Sequence, residues 1–124
     1  MTFERTIPTL RIFSVEKALD FYVGFLGFKV DWEHRFYPNA PVYMQVSRDG
    51  LELHLSEHHG DGTPGTHVMV LMKGIDDYCA EIAAKPYPYY NPQVEERFWG
   101  AKGMKVIDPF NNHIEFSEPH AQPA

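Results

Sequence analysis

The fold of this chain is decided by residues 104–116, MKVIDPFNNHIEF. The first residues of this stretch favour a β-strand, and Asp108-Pro109 then opens a turn because proline fixes φ. Asn111-Asn112 tolerates the left-handed backbone that such a turn needs. Polar and apolar residues alternate after the turn, which predicts a second strand with His113 and Glu115 on one face. We therefore predict a closing β-hairpin that presents an imidazole and a carboxylate together, as a binding or catalytic site would.

Length and composition indicate one small globular domain, residues 1–124, that is large enough to bury most of its apolar surface. We expect no membrane contact and no secretory signal, because there is no run of about 18 apolar residues and no basic segment before an apolar one. A single cysteine excludes an internal disulfide and fits the cytoplasm. The net charge of −6 argues against nucleic acid as a partner and suits a cationic small ligand.

Apolar periodicity predicts two helices, the first over residues 15–24 and the second beginning at Ile75. One strand precedes each helix and about three follow it, so the simplest organisation is a βαβββ module used twice, over about residues 5–57 and 66–118. The fold class is α+β. Two such modules would form a curved, half-open trough of mixed sheet. Residues 86–92, which are rich in proline and tyrosine, are predicted to be extended and rigid.

Each predicted sheet has one face under its helix and one free face. Strand alternation assigns a mostly polar set of side chains to the free faces. They are Thr9, Arg11, Tyr43, Gln45, Glu52, His54, His67, Met69, His113 and Glu115.

Two motifs resemble the signatures of the vicinal-oxygen-chelate superfamily, which includes glyoxalase I, extradiol dioxygenases and bleomycin-resistance proteins. Residues 19–28, LDFYVGFLGF, are similar to its FYxxxLGF signature. Residues 108–115, DPFNNHIE, are similar to its DPxGNxxE signature, with Asn111 where glycine is usual. The resemblance covers almost the whole chain and implies the doubled βαβββ fold.

The bleomycin-resistance branch is the most similar one. The chain resembles it in residues 7–10, IPTL, where a proline lets the first strand cross to a partner subunit, and in Trp99-Gly100. This resemblance implies a homodimer that needs no cofactor and holds a small amphipathic or cationic ligand between aromatic walls, without catalysis. The residues expected to supply those walls are Trp32, Phe36, Tyr37, Tyr43, Trp99 and Phe110.

The alternative is a metal-dependent lyase or dioxygenase of the same superfamily. Its metal-using members take one ligand from each of four strands, and the matching positions here are Ile7, His54, His67 and Glu115. Ile7 cannot coordinate a metal, although two histidines and a carboxylate can hold a divalent ion with open positions. Because of the missing ligand we favour the ligand-sequestering protein.

Overall fold

The computed structural model describes residues 1–87 and 91–121. The chain divides into two compact units. The first, here called the N-unit, contains Met1–Thr66 and Asp108–Asn112; the second, the C-unit, contains His67–Ile107 and His113–Ala124. Residues 88–90 of the segment predicted to be rigid lie outside the described residues.

The N-unit is a four-stranded mixed sheet with one helix. Its elements are β1 (Thr9–Arg11), α1 (Val15–Leu19) continued by a π-helical segment (Asp20–Phe25), β2 (Lys29–His34), β3 (Tyr43–Arg48) and β4 (Leu51–Ser56). The strand order is β1-β4-β3-β2, with β1 parallel to β4 and the other pairs antiparallel.

The C-unit repeats this plan. Its elements are β5 (His67–Leu71), α2 (Ile75–Ala83), β6 (Glu95–Arg97), β7 (Ala101–Ile107) and β8 (His113–Pro119). The strand order is β5-β8-β7-β6, with β5 parallel to β8. The predicted α+β class and the doubled βαβββ order are therefore confirmed.

The first helix differs from the prediction in its second half. It begins at Val15, where the Ser14 hydroxyl accepts a hydrogen bond from the Lys17 amide at 3.2 Å, an ordinary N-cap. From Asp20 the helix widens to π geometry, so that the Leu26 amide donates to the Phe21 carbonyl at 2.9 Å. Neither this helix nor any other among the described residues is long and apolar enough to cross a membrane.

The closing turn has the backbone that its asparagines predict. Asn111 adopts φ 69° where the superfamily signature has glycine, and asparagine is among the few non-glycine residues that tolerate the left-handed region. Its carbonyl also accepts a hydrogen bond from the Gly65 amide at 3.0 Å. The turn therefore keeps its shape without the usual glycine.

Asp108 explains why the two sequence motifs occur together. The Tyr22 hydroxyl donates to Asp108 Oδ2 at 2.7 Å, and the Asn112 side-chain amide donates to the same oxygen at 2.8 Å. Asp108 Oδ1 accepts the backbone amides of Phe110 and Asn112, each at 2.8 Å. Burial and the neighbouring carboxylate raise the pKa of Tyr22 well above its usual value. The FY motif on the helix and the DP motif of the turn thus form one buried hydrogen-bonded anchor within the N-unit.

Candidate functional site

Three rings lie in contact on the free face of the N-unit sheet, one each from β2, β3 and β4. Trp32 and Tyr43 are stacked nearly parallel, at 10°, with ring centroids 5.9 Å apart. His54 meets both rings edge to face, with centroid distances of 5.3 Å to Trp32 and 5.2 Å to Tyr43. We call Trp32, Tyr43 and His54 the aromatic face. Trp32 is 41% exposed, so part of this flat apolar surface is open to solvent.

Further rings continue the aromatic face along the sheet. Phe36 contacts His34 edge to face at 4.5 Å and lies 5.6 Å from His58, whose ring is 6.4 Å from Tyr43. Phe36 and the adjacent Tyr37 are both largely exposed. Three residues predicted for the ligand wall, Trp32, Tyr43 and Phe36, are thereby brought together, and Tyr37 follows Phe36 at the surface.

A β-bulge in β2 places an acidic group beside the aromatic face. Val30 pairs with Val46 and Trp32 with Gln45, so Asp31 is the additional residue between these two pairs. Its Oδ2 accepts a hydrogen bond from the Gln45 side-chain amide at 3.0 Å. Hydrogen bonds from Gln45 and Ser47 lower the pKa of Asp31. The bulge therefore gives two consecutive residues, Asp31 and Trp32, a place on the same side of the sheet.

Neighbouring side chains occupy both ring nitrogens of His54. Nδ1 lies 2.8 Å from the Tyr43 hydroxyl oxygen, and Nε2 lies 2.9 Å from Gln45 Oε1. A metal ligand needs a nitrogen lone pair that points at the ion. In this arrangement the imidazole acts as a hydrogen-bonding link between two residues of β3.

The C-unit has a concave pocket of about 610 Å³ on the free face of its own sheet. Its lining includes His67, Met69, Trp99, Lys105 and Glu115. Trp99, one of the predicted wall residues, belongs to the turn between β6 and β7 and lines this pocket. His67 stacks on His113 with centroids 4.3 Å apart.

A bidentate ion pair lies in this pocket. Arg97 Nε is 2.7 Å from Glu115 Oε2, and Arg97 Nη2 is 3.1 Å from Glu115 Oε1. The two side chains are only 19% and 12% exposed, and the hydrogen bond to Glu115 raises the pKa of Arg97. The pair crosses from β6 to β8 over Gly103 of β7, where a Cβ would collide with Glu115 Oε2 and Arg97 Nε. Glycine at 103 is thus the residue that makes room for the pair.

Other side chains engage two of the three residues of the metalloenzyme alternative. His54 has both nitrogens in hydrogen bonds, and Glu115 has both oxygens on Arg97, whose positive charge already balances the carboxylate. Within residues 1–87 and 91–121, no three His, Cys, Asp or Glu side chains form a group that could hold a metal.

Phe110 is placed differently from the other predicted wall residues. It is 91% buried, and its ring centroid lies 6.1 Å from that of Phe13. The reason is its position in the closing turn, where its backbone amide is held by the buried carboxylate of Asp108. Phe110 is therefore a packing residue of the N-unit.

The sequence alone did not identify Asp31, Gln45 or Arg97 as partners of the site residues. A bulge has no reliable sequence signature, so the position of Asp31 beside Trp32 could not be read from alternation. For Arg97 one signal was present. Gly103 interrupts a β-favouring stretch, and glycine inside a strand often marks a close approach of other groups.

The comparisons agree with this architecture. The glyoxalase superfamily model matches residues 1–122. No curated protein matches the chain. A bleomycin-binding protein from Streptomyces verticillus, solved with copper(II)-bleomycin, is 25% identical, with a TM-score of 0.74 and coverage of 97% of this chain and 99% of that one.

Two further solved structures share the fold. An antibiotic-binding protein from a Streptomyces species is 20% identical, with a TM-score of 0.74 and coverage of 97% of this chain and 99% of that one. A glyoxalase/bleomycin resistance protein/dioxygenase from Alicyclobacillus acidocaldarius is 22% identical, with a TM-score of 0.70 and coverage of 95% and 92%.

Proposed function

The chain belongs to the glyoxalase superfamily, and from that premise we propose that it binds and sequesters a small amphipathic, cationic ligand without transforming it. Bleomycin-type glycopeptide antibiotics are the ligand class to test first. Protection by sequestration needs a stoichiometric, preformed binding surface and no catalytic group.

The observation that carries this proposal is the aromatic face of the N-unit. A parallel Trp32–Tyr43 stack offers flat apolar area, and burying such area against a planar ligand is favourable. The negative face of an indole also attracts cations. The carboxylate of Asp31 lies beside Trp32, and the net charge of −6 attracts a cationic ligand at longer range.

Two of the solved neighbours support the same ligand class. One is described as a bleomycin-binding protein and another as an antibiotic-binding protein. The pocket at Trp99 in the C-unit would supply a second aromatic contact surface. The proposal does not depend on an ion, because His54 and Glu115 are already engaged by other side chains.

We extend the proposal to a cytoplasmic homodimer. Met69 and Leu71 on β5 and Phe98 in the β6–β7 turn are 55%, 68% and 97% exposed. Exposed apolar groups of this kind are typical of surfaces that a partner covers. Sedimentation of the pure protein at several concentrations measures the oligomeric state directly.

Fluorescence titration with metal-free bleomycin, on protein treated with a chelator and dialysed, tests the ligand. Substitution of one tryptophan isolates the signal of the other, Trp32 in the N-unit or Trp99 in the C-unit. In the Trp99→Phe variant we expect quenching of Trp32 that saturates near about one drug per subunit, with submicromolar affinity, or about −8 kcal/mol and tighter.

Two controls sharpen this titration. His67→Ala should leave the affinity within about twofold, since the proposal gives no metal-binding role to that residue. Trp32→Ala, measured by calorimetry because it removes the reporting tryptophan, should weaken binding at least about tenfold. No change in the fluorescence of either tryptophan over the whole titration would contradict the proposal.

A further inference from the structure

One continuous chain of side-chain hydrogen bonds crosses all four strands of the N-unit sheet. The Thr9 hydroxyl lies 3.2 Å from the Tyr43 hydroxyl, which lies 2.8 Å from His54 Nδ1. His54 Nε2 lies 2.9 Å from Gln45 Oε1, and the Gln45 amide nitrogen donates to Asp31 at 3.0 Å. We call these five residues the relay. It includes two of the three rings of the aromatic face.

The carboxylate of Asp31 sets the direction of every bond in the relay. An ionised carboxylate only accepts hydrogen bonds, so Gln45 has to turn its NH₂ group toward Asp31 and its oxygen toward His54. That oxygen also only accepts, so the proton of a neutral His54 has to be on Nε2. Nδ1 then accepts from the Tyr43 hydroxyl, and the Tyr43 oxygen in turn accepts from Thr9.

We propose that Asp31 is a positioning residue, which through Gln45 fixes the tautomer and orientation of His54 and so holds the aromatic face in one arrangement. Asp31 can do this only because of the bulge in β2. In a regular strand, residues 31 and 32 would point to opposite faces of the sheet.

The consequence for binding rests on the proposed function. With the relay complete, the polar atoms of Tyr43 and His54 are already engaged, so a ligand can stack on their rings without replacing a hydrogen bond. A ring fixed in one rotamer also loses less conformational freedom when the ligand binds. Asp31 therefore acts on ligand affinity through the rings as well as through its charge.

The ¹⁵N resonances of the His54 imidazole in full-length protein test the proposal without any ligand. They are measured where the ring is neutral and identified, among the seven histidines, by their loss in His54→Gln. We expect the wild type to show only the Nε2–H tautomer. Asp31→Asn keeps the size of the side chain but adds hydrogen-bond donors. The Gln45 side-chain amide can then rotate by half a turn and present its NH₂ group to His54, so the Nδ1–H tautomer of His54 should become populated.

Two variants serve as matched controls. Asp31→Glu retains an acceptor-only carboxylate and should restore the Nε2–H tautomer. Glu33→Gln makes the same change of charge at an exposed position two residues along β2, and should leave the His54 signals unchanged. A single Nε2–H tautomer in both Asp31→Asn and Asp31→Ala would overturn the proposal.

Bleomycin titration of the same variants separates this proposal from the proposed function. We expect Asp31→Asn to weaken binding about fivefold more than Glu33→Gln does. Weaker binding without any change of tautomer would overturn the positioning role. A change of tautomer in a protein that does not bind bleomycin would support the relay and remove the proposed function.

Discussion

The free faces of the two units differ in the partners that hold their polar side chains. In the N-unit, His54 is held by the neutral groups of Tyr43 and Gln45, and the chain of hydrogen bonds ends at one carboxylate at the edge of the aromatic face. In the C-unit, Glu115 is held by the full charge of Arg97. Both residues stand where the superfamily resemblance places metal ligands.

The difference shows that the same βαβββ module can carry either a stack of rings or a largely buried ion pair on its free face. The N-unit presents flat rings whose polar atoms are satisfied, which favours stacking of a ligand. The C-unit keeps a charged pair in a half-buried pocket, where each partner depends on the other. Damage to the C-unit pair should therefore reduce stability more than damage to the relay, which should mainly affect binding.

Asp108→Ala removes the buried anchor of the N-unit and should have the largest effect. The substitution deletes the carboxylate that accepts four hydrogen bonds. The buried Tyr22 hydroxyl and Asn112 side-chain amide then lose this acceptor. We expect a loss of about 4 kcal/mol in the free energy of unfolding, measured by urea denaturation. Glu33→Ala, an exposed change, is the control, and equal costs for the two variants would show that Asp108 is not an anchor.

Gly103→Ala should selectively damage the C-unit, because the new Cβ would collide with the Arg97–Glu115 pair. We expect a loss of about 3 kcal/mol in unfolding free energy. The matched experiment repeats the substitution in an Arg97→Ala/Glu115→Ala background, which lacks the colliding atoms, and its cost should fall to about 1 kcal/mol. The same cost in both backgrounds would mean that the ion pair is not the reason for glycine at this position.

Arg97→Met should destabilise the protein by about 2 kcal/mol, because the largely buried Glu115 carboxylate then loses its charged partner. Adding Glu115→Gln should recover at least half of that loss in the same denaturation experiment. Lys102→Met is the control, since it removes an exposed ion pair with Asp76 and should cost less than about 1 kcal/mol. No recovery in the double variant would contradict the dependence of Glu115 on Arg97.

Tyr43→Phe should have the smallest effect on stability, about 1 kcal/mol, because it removes one hydroxyl and keeps the stacked ring. Near-ultraviolet circular dichroism should show that the environment of Trp32 is retained. Tyr37→Phe, an exposed change outside the relay, should be close to neutral. A loss of Trp32 order in Tyr43→Phe would show that the hydroxyl, rather than the ring contact, maintains the stack.

The sequence was sufficient for the order of elements. The two motifs could be recognised because their key residues, Tyr22 and Asp108, bond to each other in the core, and such a requirement restricts sequence strongly. Asp49-Gly50, between β3 and β4, is a hairpin sequence of the same local kind, and both residues adopt positive φ there, at 49° and 85°. Local backbone chemistry explains both successes.

The details of the site could not be obtained in the same way. The bulge at Asp31 and the π-helical segment from Asp20 both interrupt the regular repeat of side-chain directions along the chain. Predictions from hydrophobic periodicity assume that this repeat is constant. Phe110 was expected at a ligand wall because aromatic residues suit such a wall. In the structure it is buried, because the Asp108 carboxylate accepts its backbone amide and holds the closing turn in place. Arg97 lies on a three-residue strand too short for its pairing to be predicted.

Gly103 also constrains the order in which mutations could have built this pocket. A side chain at position 103 would push the Arg97 guanidinium and the Glu115 carboxylate out of their bidentate arrangement. A chain that acquired Arg97 and Glu115 before Gly103 would therefore gain this geometry only when the glycine arrived. Replacement of Gly103 afterwards would cost the ion pair its geometry, because both side chains would have to move aside.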